Sequence, residues 1–175
     1  CCTANMKDAD FAPIGPNSAA GNPDKHFDTV LWVGNGKVDR SIRGLNFQPD
    51  LVWIKNRENA SYNHHLVDSQ RGPGFRFVTN GNQASAVSYV SSLNSDGFTV
   101  TADRTVNDTD DYVAWCWKAG NDSVVDNSGT INVTRSTNVD AGFSIISYAK
   151  NATAGATIAH GLGKAPEWIM VKDVE

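Results

Sequence analysis

Residues 64–72, His-His-Leu-Val-Asp-Ser-Gln-Arg-Gly, bring two imidazoles, a carboxylate, a hydroxyl and a guanidinium close together along the chain. These groups perform acyl transfer when a base, an orienting acid and a nucleophile converge in space, usually from distant segments. Here they share one short extended stretch. Successive side chains on a strand point to opposite faces, so His64 and His65 diverge and form neither a relay nor a chelating pair. No Gly-x-Ser-x-Gly elbow surrounds Ser69. The simpler reading is that Asp68 pairs with Arg71 or caps the Arg-Gly-Pro-Gly turn that follows. No catalytic residue is assigned, and the chain is not read as an enzyme.

Residues 103–111, Asp-Arg-Thr-Val-Asn-Asp-Thr-Asp-Asp, gather Asp103, Asp108, Asp110 and Asp111. Carboxylates so placed suit Ca²⁺, or the paired acids of a glycosidase. The EF-hand spacing is missing, with no Gly at the sixth position and no Glu at the twelfth. Asp108, Asp110 and Asp111 are therefore weak metal candidates, and a solvated loop is the plainer account. No cofactor is expected. The three cysteines, Cys1, Cys2 and Cys116, form no Cys-x-x-Cys pair, so a zinc site is not indicated. Cys116 reads as a reduced packing residue.

The five tryptophans, Trp32, Trp53, Trp115, Trp117 and Trp168, fall on expected strands. Aromatic platforms bind sugars, but strand tryptophans are more often core. Leu51, Trp53, Val113, Trp115 and Trp117 are accordingly expected inside. Receptor contacts come more readily from loops on a rigid scaffold. That makes Asn56–His65 the expected contact loop, with Tyr62 and His64 as its ligand-contact candidates.

The elements that would carry these residues are strands. Residues 27–33 alternate, with Phe27, Thr29, Leu31 and Val33 on one side and Val30 and Trp32 on the other. Residues 50–55 are apolar on both faces, as in a covered central strand. Residues 88–103 read as a hairpin through Asn94-Ser95-Asp96-Gly97. Residues 75–82, 111–120, 130–136 and 143–149 are further strands. An antiparallel β-sandwich or jelly-roll-like domain follows.

Composition sets the outer bounds. The chain has 175 residues, 40% apolar and 19% charged, with a net charge of -4. That suffices for one core. It supplies no basic patch for nucleic acid, no run long enough to span a bilayer and no signal peptide. The chain opens on Cys and reads as processed or a fragment.

The chain also repeats itself. Phe27 to Lys55 and Phe143 to Lys172 run in parallel, with starting points 116 residues apart. Trp32 matches Tyr148, Asn35 matches Asn151 and Ile42 matches Ile158. After one inserted residue, Leu45 matches Leu162, Pro49 matches Pro166, Asp50 matches Glu167 and Lys55 matches Lys172. The expected organisation is an extended arm over 1–26, a β-rich unit over 27–120, a linker over 121–140 and a truncated second copy over 141–175. Such repeats mark modular, array-building proteins.

Taken in order, "GLNFQPDLVWIKNR", "HLVDSQRG", "LNSDGFTV", "VAWCWKAG" and "HGLGKAPEWIMVK" resemble a domain of unknown function in virion structural and tail-fibre-like proteins of marine tailed bacteriophages. The resemblance covers about residues 27–174. It implies a virion location and a structural or adhesive role. The expected partners are other virion subunits in a homo-oligomer and a host-surface glycan, with neither nucleic acid nor membrane insertion. The alternatives are a polysaccharide-cleaving tail-spike domain and a Ca²⁺-dependent, lectin-like carbohydrate-binding module.

Overall fold

The computed structural model describes residues 23–174, so most of the expected arm over 1–26 lies outside the described residues. After a single 3-10 turn at Pro23–Lys25, every regular element is a strand. These are β1 (Phe27–Val33), β2 (Arg40–Arg43), β3 (Leu51–Asn56), β4 (His65–Asp68), β5 (Phe75–Arg76) and β6 (Ala86–Val87). They continue with β7 (Val90–Asn94), β8 (Gly97–Val100), β9 (Asp111–Trp117), β10 (Val124–Asp126), β11 (Val133–Asn138) and β12 (Phe143–Tyr148). The fold is all-β, and every strand pairing is antiparallel.

The main sheet runs β1-β9-β3-β4, so the chain's long apolar strands lie side by side although they come from distant segments. A second sheet, β2-β8-β7, supplies the other half of a sandwich-like core. From the main sheet come Trp32, Val52, Ile54, Val67, Tyr112, Ala114 and Cys116; from the second come Ile42, Val90, Phe98 and Val100. Trp32 stacks on Tyr112 at 5.4 Å between centroids and meets Phe98 edge-on at 5.8 Å. Its indole N–H donates to the Val106 carbonyl at 3.2 Å, so the buried polar end is satisfied. The β7–β8 hairpin turns at Ser95-Asp96 as expected, and Gly97 is required there by space. A Cβ at that position would stand 1.9 Å from the Ile42 carbonyl oxygen.

The faces differ from expectation. Along β9, Tyr112, Ala114 and Cys116 are buried, while Val113, Trp115 and Trp117 look outward and are half-buried. Trp53 also lies on that outer side, although Leu51 is buried as expected. Of the five tryptophans only Trp32 belongs to the core. The reason is volume. Trp32, Phe47 and Phe98 occupy much of the space between the sheets, and β9 adds one large ring there, Tyr112, followed by the small Ala114 and Cys116.

The segment 121–140, expected as a linker, holds β10 and β11, which join β12 in a sheet of order β10-β11-β12. Phe75–Arg76 is all that forms of the strand expected over 75–82. Residues 167–172, which repeat the pattern of β3, form no strand.

Candidate functional site

Directly paired residues in a sheet share a face, so the register defines the outer surface of the main sheet. One row across it is Phe27, Trp117 and Leu51; the next is Thr29, Trp115 and Trp53; the third is Leu31, Val113 and Lys55. Phe27 packs on Trp117 at 5.0 Å, and Trp53 meets Trp115 edge-on at 6.0 Å. Leu31 and Val33 remain 59% and 61% exposed, so the aromatic rows continue into an open apolar edge on β1.

The loop after β3 folds back along this surface. Lys55 donates from Nζ to the carbonyls of Asn59 at 3.1 Å and Tyr62 at 2.8 Å. The Trp53 indole N–H donates to His64 Nδ1 at 2.8 Å, and the two rings meet edge-on. The Asn80 side chain then accepts from the His64 backbone N–H and donates to Asn63 Oδ1. Of the two expected contact residues, the structure brings the His64 side chain to the aromatic face and joins Tyr62 to it through a backbone carbonyl. His64 is part of its rim, and Tyr62 holds the loop through its carbonyl. Partial burial, and then the nearby Lys55 ammonium, lower the His64 pKa. The imidazole is therefore neutral at pH 7 and accepts the Trp53 hydrogen bond. The assembled surface has aromatic rings and aliphatic groups at its centre and amide and imidazole groups at one margin. Such a surface can stack against the apolar face of a sugar or bury a neighbouring protein surface.

The reactive cluster at 64–72 divides as strand geometry requires. Asp68 accepts from the Arg71 backbone N–H at 2.9 Å and from Arg71 Nε at 2.7 Å, so it serves both the ion pair and the turn. Arg71 also lies over the Phe77 ring at 4.3 Å. His65 points inward and is fully buried. Its Nε2 lies 3.0 Å from Ser88 Oγ and accepts at 3.4 Å from the Tyr89 N–H. Its Nδ1 is 3.5 Å from Thr105 Oγ1, which itself donates to Asp103.

This serine–histidine pair joins segments that local sequence reading could not connect. Burial, followed by the Arg76 charge, holds the His65 pKa at about 3. A base that weak is poorly matched to general-base work at neutral pH. A neutral histidine tying β4 to the start of β7 accounts for its contacts. Burial likewise pushes the Cys116 thiol pKa up, which leaves it protonated and unreactive.

The acidic loop is engaged by the fold. Asp110 accepts from the Asn56 amide at 2.7 Å, and Asp111 faces Arg57 at 3.7 Å. The Asp108 backbone donates to the buried Tyr112 hydroxyl at 2.9 Å. Among the described residues, no group of three or more His, Cys, Asp or Glu is placed to hold a metal ion.

A family model described as a domain of unknown function, DUF7483, matches residues 22–175. The chain belongs to this family, and the match runs through both copies of the repeated phrase. No curated protein and no solved structure matches the chain.

Proposed function

We propose that the chain is a structural and adhesive module of a bacteriophage virion, of the tail-fibre kind, acting by binding rather than by catalysis. The virion setting rests on the motifs between Gly44 and Lys172 that resemble such proteins. The binding reading rests on one observation. The outer face of the main sheet carries Trp53, Trp115 and Trp117 beside exposed Leu31 and Val33, with the His64 rim folded over one side. Monomeric proteins seldom leave a large contiguous apolar patch uncovered without a use for it. Its partners in this reading are a host-surface glycan or the surface of a neighbouring virion subunit, including further copies of the chain.

Binding of the labelled protein to host cells, and to purified host-surface polysaccharide, tests the proposal. Trp115→Ala and Leu31→Asp are expected to reduce binding at least ~10-fold while the fold survives. Unchanged binding in both variants would move the contact surface elsewhere. Turnover of the polysaccharide by the unaltered protein would replace adhesion with cleavage.

A further inference from the structure

The two copies of the repeated phrase turn the same corner with different residues. Gly44 and Gly161, at matching positions, both have positive φ, 120° and 74°. Three residues further on, Phe47 is 3% exposed and helps to fill the core. Its counterpart in the second copy is Lys164, which is exposed. Where the first corner is plugged by a ring, the second borders a shallow groove of about 540 Å³. Asp126, Ser128, Ile158, His160, Gly161 and Lys164 are among its lining residues.

The groove is held in shape from behind. Asp126 accepts from Arg135 Nε at 2.8 Å, and from the Ser128 N–H and hydroxyl at 3.0 and 2.6 Å. Both carboxylate oxygens are thus engaged, and Arg135 balances their charge. The same guanidinium packs against the Gly161 backbone, where a Cβ would stand 2.2 Å from Nη1, so the position needs glycine. Arg135 Nη1 also donates to Thr137 Oγ1 at 2.9 Å, and that hydroxyl donates to the His160 carbonyl at 3.1 Å. One side chain therefore ties β10 to the segment that follows Ile158. What remains in the lining is donor capacity. The Leu162 N–H donates to His160 Nδ1 at 3.2 Å, which leaves the ring proton on Nε2. Among the described residues, neither that N–H nor the Lys164 ammonium has a hydrogen-bond partner. With Asp126 balanced, Lys164 gives the groove a net positive charge on a chain whose own net charge is -4.

We infer that this groove is a subsite for a carboxylate-bearing sugar, a uronate unit of a polysaccharide. Lys164 and the His160 Nε2–H supply charge-assisted donors for the carboxylate. The Ser128 hydroxyl, whose proton goes to Asp126, accepts from a sugar hydroxyl. A peptide is a poorer occupant, because Ile158 is the only large apolar side chain in the lining. The inference rests on the glycan-binding reading and adds a charge-selective site whose lining shares no residue with the outer face of the main sheet.

Titration calorimetry with a hexuronate tetrasaccharide, set against the same sugar with its carboxyls reduced to alcohols, is the test. The unaltered chain is expected to bind the acidic form at least ~10-fold more tightly. Lys164→Gln should remove that preference without moving the thermal unfolding midpoint, since the side chain is exposed. The Gly161 and Gly163 amide resonances should shift with the acidic sugar. No binding, equal affinity for the two sugars, or a preference that survives Lys164→Gln overturns the inference. Displacement of the sugar by equimolar acetate also overturns it, since the groove would then hold an isolated carboxylate. Trp115→Ala and Leu31→Asp separate this inference from the reading it rests on, because both should keep the acidic sugar while losing host-cell binding. Host-cell binding through the outer face with no hexuronate binding defeats this inference alone. Hexuronate binding with host-cell attachment unchanged in both variants defeats the outer-face reading alone.

Discussion

Residues 51–54 and 168–171 follow the same Pro-acid corner and precede the same lysine, yet one forms the centre of a sheet and the other lies open. Leu-Val-Trp-Ile and Trp-Ile-Met-Val are equally apolar, and both have the residue types of strands. What differs is the neighbour. Leu51–Asn56 has β9 on one side and β4 on the other, and residues 168–171 have neither. Strand propensity is thus permissive, and it becomes structure only when a ladder partner and a covering layer are present.

Replacing apolar residues in the two segments should give the largest contrast. Ile54→Ala is expected to cost about 2–5 kcal/mol through lost burial and a residual cavity. Val171→Ala should stay within about 0.5 kcal/mol, as for an exposed site. Denaturant titration of the two variants measures both. Equal losses would mean that 168–171 is covered in solution.

Acidification probes the other neighbour of β3. His65 lies opposite Ile54 across the β3–β4 ladder and is held neutral by burial, with a pKa of about 3 against an ordinary value of 6.5. Between those values the unfolded chain binds a proton that the folded chain refuses. Stability is therefore complete above pH 6.5 and falls as the pH drops towards 3, by an amount on the order of a few kcal/mol. The unfolding midpoint should fall across this window, and His65→Gln should flatten the slope even though it lowers stability at pH 7. A parallel slope in the variant would assign the acid limb to carboxylates.

The corners come next in size. Asp50→Ala leaves the buried Ala119 N–H without its acceptor and should cost about 1–3 kcal/mol. Glu167→Ala should change little, since that carboxylate is exposed. Thermal unfolding of the pair would sharpen the comparison. It would fail if the two losses matched.

A loss smaller than that of a core residue is expected on the outer face. Trp115→Ala should cost about 1–2 kcal/mol, because a half-buried ring forfeits only part of its transfer energy. A loss above about 3 kcal/mol in denaturant titration would put that face under cover and argue against its use as a free contact surface.

Much of this could be read along the chain. Alternation located β1, an unbroken apolar run located β3, turn residues located the β7–β8 hairpin, and further strand-like runs located β9 and β12. The Asp68–Arg71 pairing and the divergence of His64 from His65 follow from local geometry alone. The connection between β3 and β4 was legible as a loop, but its aromatic floor of Trp53 and Trp115 was not. The pairing of His65 with Ser88 and Thr105 was also hidden, because it joins segments far apart in sequence.

By itself the sequence determined that this chain is an all-β protein with alternating strands, tight turns and a phrase written twice. Alternation says which residues share a face, but not which face is covered. On β9 both faces are apolar, so hydropathy could not choose between Val113-Trp115-Trp117 and Tyr112-Ala114-Cys116. The second sheet decided it, since it covers the face where Tyr112 stacks on Trp32 and the small Ala114 and Cys116 pack beside them, with Phe98 edge-on to Trp32. Tertiary structure likewise decided that one copy of the phrase became a buried strand and the other did not. Burial and ladder hydrogen bonds belong to pairs of segments, and one segment's sequence carries no information about whether its partner is present.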